Sequence, residues 1–294
     1  MFRRNWLALA ACAAPVAALA VLAVGELLSR PVQRAIGTPP AALHGATVGF
    51  ATTSGGTVAG WAADGAPGRG AVLLLHGVRS DRRQMLARAL WLHGEGRAVL
   101  LIDLPSHGES AGERITFGAR ESAGVSAALQ YMASRWPGEA IAVVGVSLGA
   151  ASTVLAPALP GVKALVLESM YPTIDDALRN RLHRVLGAAG PPLAPLLLTQ
   201  LPWRTGVRPD ELRPIDRMAQ LSAPVLVLGG ELDRHTPPDE TRQLRDRAGA
   251  TAGLWIVAGA AHVDLHRHAP ADYQMRVGAF LRQHLGPGRA STDS

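Results

Sequence analysis

The segment Ile141–Ala151 constrains this chain more than any other. An apolar run rich in β-branched side chains enters Gly145-x-Ser147-x-Gly149, and small, helix-favouring residues leave it. That is a strand, a tight turn and a helix start. A turn this tight forces its serine into a strained backbone conformation. The flanking glycines let strand and helix close on each other without a Cβ in the way. The serine hydroxyl then stands above the end of a sheet. The amide of Leu148, at the helix N-terminus, is free to face an oxyanion. Gly108-Glu109-Ser110-Ala111-Gly112 has the same spacing but follows the breaker-rich Asp103-Leu104-Pro105-Ser106-His107. With no strand before it and no helix after it, Ser110 reads as a loop residue and Ser147 as the nucleophile candidate.

The rest of the pattern supplies the sheet this turn needs. Ala46–Ala51 and Thr57–Ala63 read as a hairpin, and Ala71–Leu75 is a short apolar run of the kind buried on both faces. Ala98–Ile102, Ala164–Leu167, Pro224–Leu228 and Leu254–Val257 repeat that signature. Helical spacing lies between them at Asp81–His93, Phe117–Ser134 (with Thr116 as N-cap), Pro238–Arg247 and Tyr273–Leu285. Alternation of this kind predicts an α/β fold: a mostly parallel sheet of about eight strands with helices on both faces. Residues 170–221 carry no strand pattern, only helical stretches at Asp175–Leu186 and Leu193–Trp203, and read as a lid insertion. The main domain spans 46–286, and residues 287–294 read as a disordered tail.

A serine hydroxyl needs a base, and the base needs a carboxylate to orient it. In parallel sheets such partners collect past the C-terminal ends of strands. Asp233, in Gly230-Glu231-Leu232-Asp233, follows one strand and is the acid candidate; Glu168, straight after Ala164–Leu167, is the alternative. His262 follows the last strand on the small-residue loop Gly259-Ala260-Ala261 and is the base candidate. The second oxyanion amide is assigned to Val78, after the Ala71–Leu75 strand, beside that of Leu148. His262-x-x-x-His266-x-His268 has no supporting cysteine or carboxylate frame, so no metal and no cofactor is assigned. His266 and His268 read as solvated, and His44, His93, His183 and His284 as surface or packing residues.

Composition bounds the surroundings. Among 294 residues, 48% are hydrophobic and 18% charged, which supports a large core. The net charge of +6 comes from arginines scattered along the chain, with Lys163 the only lysine. A nucleic-acid surface would cluster them, so no nucleic-acid partner is expected. The sole cysteine, Cys12, excludes an intrachain disulfide, and Leu9-Ala10-Ala11-Cys12 resembles a lipoprotein processing site after too short an apolar run. Arg3 and Arg4 precede an apolar stretch from Trp6 to Leu28, interrupted by Pro15 and Glu26. Its length predicts a membrane anchor over residues 1–30, with a cleaved signal peptide as the alternative. Arg30 and Arg34 follow it, so charge bias leaves the orientation open. The domain is expected on the outer face, or secreted or periplasmic after cleavage. Residues 31–45 read as an irregular linker.

His76-Gly77, Asp103-Leu104-Pro105-Ser106-His107-Gly108-x-Ser110, Gly145-x-Ser147-x-Gly149, Gly230-x-x-Asp233 and Gly259-x-x-His262 together resemble the α/β-hydrolase superfamily. Within it the chain is similar to membrane-anchored serine hydrolases of the Bem46 type and to prolyl-oligopeptidase-like hydrolases. The resemblance implies Ser147 as nucleophile, His262 as base, Asp233 as acid, and the Val78 and Leu148 amides as oxyanion donors. One departure is visible: Pro105-Ser106 replace the usual Arg-Gly in the loop after Asp103. The function expected is hydrolysis of small, apolar acyl esters or thioesters. Acyl transfer or peptide hydrolysis by the same triad, and a membrane-tethered binding module without catalysis, are the alternatives.

Overall fold

The computed structural model describes residues 15, 18–53 and 55–286. Eight strands form one sheet: β1 (Ala46–Ala51), β2 (Thr57–Ala63), β3 (Ala71–Leu75), β4 (Ala98–Ile102), β5 (Ile141–Val146), β6 (Val162–Glu168), β7 (Val225–Gly230) and β8 (Gly253–Val257). Their spatial order is β8-β7-β6-β5-β3-β4-β2-β1. β1 and β2 are an antiparallel hairpin, β2 joins β4 antiparallel, and all other pairs are parallel. Every residue of β3, β4, β5 and β7 is buried. That is why these strands read as unbroken apolar runs, while β1 at the edge alternates.

Helices cover both faces. α1 (Leu86–Gly94) and α9 (Pro270–Leu285) pack on one face, around Leu74, Leu92, Val144, Tyr273 and Leu281. α2 (Glu121–Arg135), α3 (Leu148–Leu155) and α7 (Pro238–Ala248) pack on the other, around Leu73, Leu129, Val143, Val154 and Leu244. The lid holds α4 (Ile174–Leu186), α5 (Ala194–Leu198) and α6 (Leu201–Thr205), with its own small core of Ile174, Leu198, Leu201, Val207 and Leu212. α8 (Leu265–His268) is a single turn before α9.

Several boundaries differ from the sequence reading. The expected helix at Phe117–Ser134 starts only at Glu121, because Phe117 has φ 54° and Gly118 φ 112°. Thr116 still works there: its Oγ1 accepts from the Arg120 amide at 2.8 Å. Leu193–Trp203 is two short helices, not one. Residues 31–45, read as a linker, hold Val32–Gln33 in a parallel bridge with His107–Gly108, and Leu43 is fully buried in the core. His266 is a correction to the solvated reading. It is buried, stacked on Trp91 and edge-on to Tyr273.

The N-terminal segment also differs. Residues 1–14, with the arginine pair and Cys12, lie outside the described residues, as does the tail 287–294. Among the described residues no helix is long and apolar enough to cross a membrane. Residues 18–29 are helical, and that helix is docked on the domain. Gln200 Nε2 donates to Val21 O at 2.9 Å, Arg204 pairs with Glu26 at 2.7 Å, and Arg79 Nη1 donates to Leu27 O at 2.9 Å. The apolar stretch from Trp6 to Leu28 is therefore bound to the domain along its last third.

The loop after β4 is fixed by a buried ion pair. Arg82 Nη1 meets Asp103 Oδ2 at 2.8 Å, with both side chains fully buried, and the guanidinium lies 4.9 Å over the Trp61 ring. Asp103 also accepts from the amides of Arg82 and Glu109, each at 2.8 Å. The second Gly-x-Ser-x-Gly belongs to this loop. Ser110 Oγ donates to Asp103 O at 2.6 Å and accepts from the Ala59 amide at 2.9 Å. Removing Asp103 would leave the buried Arg82 guanidinium with Glu109 as its one remaining carboxylate partner. Asp103→Ala is expected to lower the unfolding free energy by about 3–5 kcal/mol. Urea denaturation measures this, and a loss under about 1 kcal/mol would contradict the pairing's importance.

Candidate active site

The C-terminal ends of β3, β4, β5, β6, β7 and β8 meet at one edge of the sheet, and the residues that follow them build the site. Ser147 is the first residue after β5, with φ 49° and ψ −106°. A non-glycine residue there carries strain of about 1–3 kcal/mol. The neighbouring glycines explain how it survives. A Cβ on Gly145 would lie 2.6 Å from the Ala150 amide nitrogen, and one on Gly149 would lie 2.6 Å from the Leu75 carbonyl oxygen. The Ser147 amide is held by Glu168 O at 2.8 Å. Its hydroxyl makes no capping bond to α3, so it is not spent on its own helix.

His262 lies beyond β8 and Asp233 beyond β7. His262 Nδ1 and Asp233 Oδ2 are 2.7 Å apart, with the Asp233 side chain fully buried and that of His262 26% exposed. Asp233 also accepts from the His235 amide at 2.7 Å, the Thr236 amide at 3.0 Å and Thr236 Oγ1 at 2.8 Å. Burial alone would raise Asp233. The His262 hydrogen bond and charge, aided by Thr236, more than offset this and hold its carboxyl below the usual range. Asp233 does not cap α7, whose N-cap is Pro237.

Glu168, weighed as the alternative acid, is committed elsewhere. Its carboxylate takes Arg88 Nη2 at 2.7 Å, Arg88 Nε at 3.1 Å and the Tyr273 hydroxyl, all buried. It makes no bond to His262. The histidine triplet is likewise dispersed: His262 is on Asp233, His266 between aromatic rings, and His268 Nε2 within 3.2 Å of Ala258 O.

Ser147, Leu148, Val78 and His262 line one pocket of about 910 Å³, open mouth included. Ser147 and His262 share this pocket without a hydrogen bond between them, a contact that catalytic pairs often complete only in the Michaelis complex. Leu148 opens α3, so its amide precedes the first bond of that helix, Ala151 N to Ser147 O at 3.0 Å. Val78 follows His76-Gly77, whose loop is pinned: Gln84 Oε1 accepts from the Gly77 amide at 2.8 Å and His76 Nε2 accepts from the Leu104 amide at 3.0 Å.

The lid supplies the apolar wall through Leu197, Leu198 and Leu201, whereas Leu196 is half exposed and does not line the pocket. Three wall contributions were missed by sequence reading. Gly25, Leu28 and Ser29 come from the N-terminal helix. His235 lies with its ring 4.8 Å from that of His262. Arg181 reaches in from α4. The Asp233-Arg-His235-Thr run placed His235 beside the acid, which was the one available signal for it. The other two depend on how the lid folds over, which no local pattern encodes.

Residues 66–205 match the hydrolase family described as Serine aminopeptidase, S33. The chain is similar to the uncharacterized protein YqkD of Bacillus subtilis, at 23% identity over 71% of this chain and 70% of that protein. It is 30% identical to the uncharacterized protein Rv2307c of Mycobacterium tuberculosis over 66% of this chain, a match spanning 63% of that relative's length. Among solved structures, the Pyrococcus furiosus esterase Pf2001 superposes with TM-score 0.74 at 22% identity, covering 88% of this chain and 99% of that one. The α/β hydrolase GrgF from Penicillium sp. sh18 follows with TM-score 0.65 at 20% identity, covering 82% and 99%. The fold is that of the α/β hydrolases.

His76 offers a test of the loop. Complete burial, then the His107 charge, push it from 6.5 down to about 3. The unfolded chain takes up that proton near the ordinary value and the folded chain only far below it. Stability is therefore full above the ordinary value and is lost as pH falls through this window, by about 1.4 kcal/mol per pH unit. His76→Asn is expected to show a shallower loss across the same window. Urea unfolding at a series of pH values measures both slopes, and equal slopes would rule the assignment out.

Proposed function

We propose that this α/β hydrolase is a serine esterase acting on small acyl esters. The observation that carries the reading is the 2.7 Å His262–Asp233 contact, in a pocket shared with a serine on a strained strand-to-helix turn. Ser147 Oγ attacks the acyl carbonyl while His262 takes its proton. Asp233 holds the imidazole in the tautomer with Nδ1 protonated and stabilises the imidazolium that forms. The Leu148 and Val78 amides receive the oxyanion. His262 then protonates the leaving alcohol, and water, activated by the same imidazole, releases the acid and restores Ser147. Two similar solved proteins are described as an esterase and an α/β hydrolase, which supports the reaction class. The apolar lid residues Leu197, Leu198 and Leu201 fit the acyl group.

The matched family's description names a peptidase, so amide hydrolysis by the same residues is the second reading; competing peptide and ester substrates separate the two. Ser147→Ala is expected to lower ester turnover by about 10⁶-fold and to abolish labelling by a fluorophosphonate. Full activity on short acyl esters in that variant would end the proposal. A binding module without catalysis would leave the wild type unlabelled.

We also propose a membrane-bound position, with the domain on the outer face. The support is the Arg3–Arg4 start, the apolar run after Trp6, and the exposed Leu19 on the N-terminal helix. Docking of that helix from Val21 onward confines bilayer contact to the residues before it. The full chain is expected to stay with membranes through an alkaline carbonate wash. Its recovery in the wash would remove the anchor.

A further inference from the structure

We propose that Arg181 is the recognition site for an anionic group, a carboxylate or phosphate, carried by the ester a few bonds from its scissile carbonyl. The proposal rests on the esterase reading and names its substrate class. α4 lays Ile174, Ala177, Leu178 and Arg181 along the pocket. These positions form one stripe at helical spacing, and the stripe facing an interior is ordinarily apolar throughout. Its fourth member is instead a guanidinium.

That guanidinium is half-buried and, among the described residues, forms no hydrogen bond or ion pair. The carboxylates around it are committed to others. Asp175 pairs with Arg179, Asp176 accepts from Thr173 at 2.6 Å, Asp233 holds His262, and Glu240, whose Oε1 accepts from Asn180 at 2.6 Å, makes no ion pair with Arg181 through its free Oε2. Arg204, the other arginine lining the pocket, is paired with Glu26 at 2.7 Å. The next cation along α4, Arg184, adds to the positive charge rather than cancelling it. Burial, and then Arg184, outweigh the neighbouring Tyr171 hydroxyl and lower the Arg181 pKa from its ordinary value. His235 lines the same pocket beside His262 and feels the Arg181 charge, so the cation faces the site where acyl transfer is proposed. A planar fork of donors in a largely apolar cleft fits a carboxylate or a phosphate.

The test compares each anionic ester with a neutral counterpart that lacks the charged group. One arm places the charge on the acyl side: para-nitrophenyl hemiglutarate against para-nitrophenyl valerate. The other places it on the alcohol side: monoacylglycerol phosphate against monoacylglycerol. The wild type is expected to show the higher kcat/KM on the anionic member of at least one pair, and that arm identifies the source of the charge. In Arg181→Met the anionic-to-neutral ratio should fall about 10–100-fold in that arm, mainly through KM, with Arg181→Lys between the two. Because each ratio is taken within one protein, partial loss of folded material cancels. A wild type that prefers the neutral ester in both arms overturns the inference, as does an unchanged ratio in Arg181→Met. Either outcome leaves the esterase reading standing. Failure to hydrolyse any of the four esters, with Ser147 unlabelled, removes that reading and this inference together.

Discussion

The structure depends on a close crossing between β5 and α3. Ser147 can hold φ 49° only because the strand before it and the helix after it are each locked in place. β5 pairs with β3 and β6 and is buried along its whole length. α3 is packed so near the end of β3 that position 149 has room for no side chain. The strain of one residue is set against the packing of two elements, and packing is the larger quantity. The same closeness puts the Leu148 amide and the Ser147 hydroxyl at the same rim of the pocket.

This crossing was legible because its demands are local. Gly145 and Gly149 sit two residues either side of Ser147, and no other residue type fits either place. The buried strands were legible for a related reason: a strand covered on both faces has no solvent side to interrupt its apolar run. The hairpin at residues 46–63 matched to the residue, since its edge strand alternates and its turn is rich in glycine. Helix starts were less legible. Phe117 reads as a helix residue by type, yet the carboxylate of Glu121 takes the Thr116 and Gly118 amides and turns the chain into a positive φ first. A side chain reaching back over several residues leaves no periodic trace.

The pocket was the least legible part. Its floor follows from strand ends, but its walls come from residues far apart in sequence. The N-terminal helix illustrates this. Composition alone makes its apolar face a membrane segment, while the structure sets Gly25 so close to Gln200 that a Cβ there would lie 2.3 Å from the amide oxygen. The lid that receives it has little apolar core of its own and leans on Phe117, Ala119 and Leu155 of the main domain. Lid, N-terminal helix and domain therefore close the cavity jointly.

Glu168 shows how far position alone can go. As a carboxylate just past a strand, it satisfied the positional rule for a catalytic acid. Its partners tie it instead to other side chains. Arg88 holds it with two nitrogens and extends a third, Nη1, to Asp264 at 2.8 Å, two residues beyond His262. The backbone carbonyl of the same Glu168 accepts the Ser147 amide. One buried guanidinium thus joins the residue that supports the serine turn to the loop that carries the histidine. Two groups distant along the chain are held to one another through a charge network beneath the pocket, while the pocket itself stays open. Removing the Arg88 charge would strand Glu168 in the core and release Asp264 at once, so the cost of its loss would fall on the geometry between residues 147 and 262 as well as on stability.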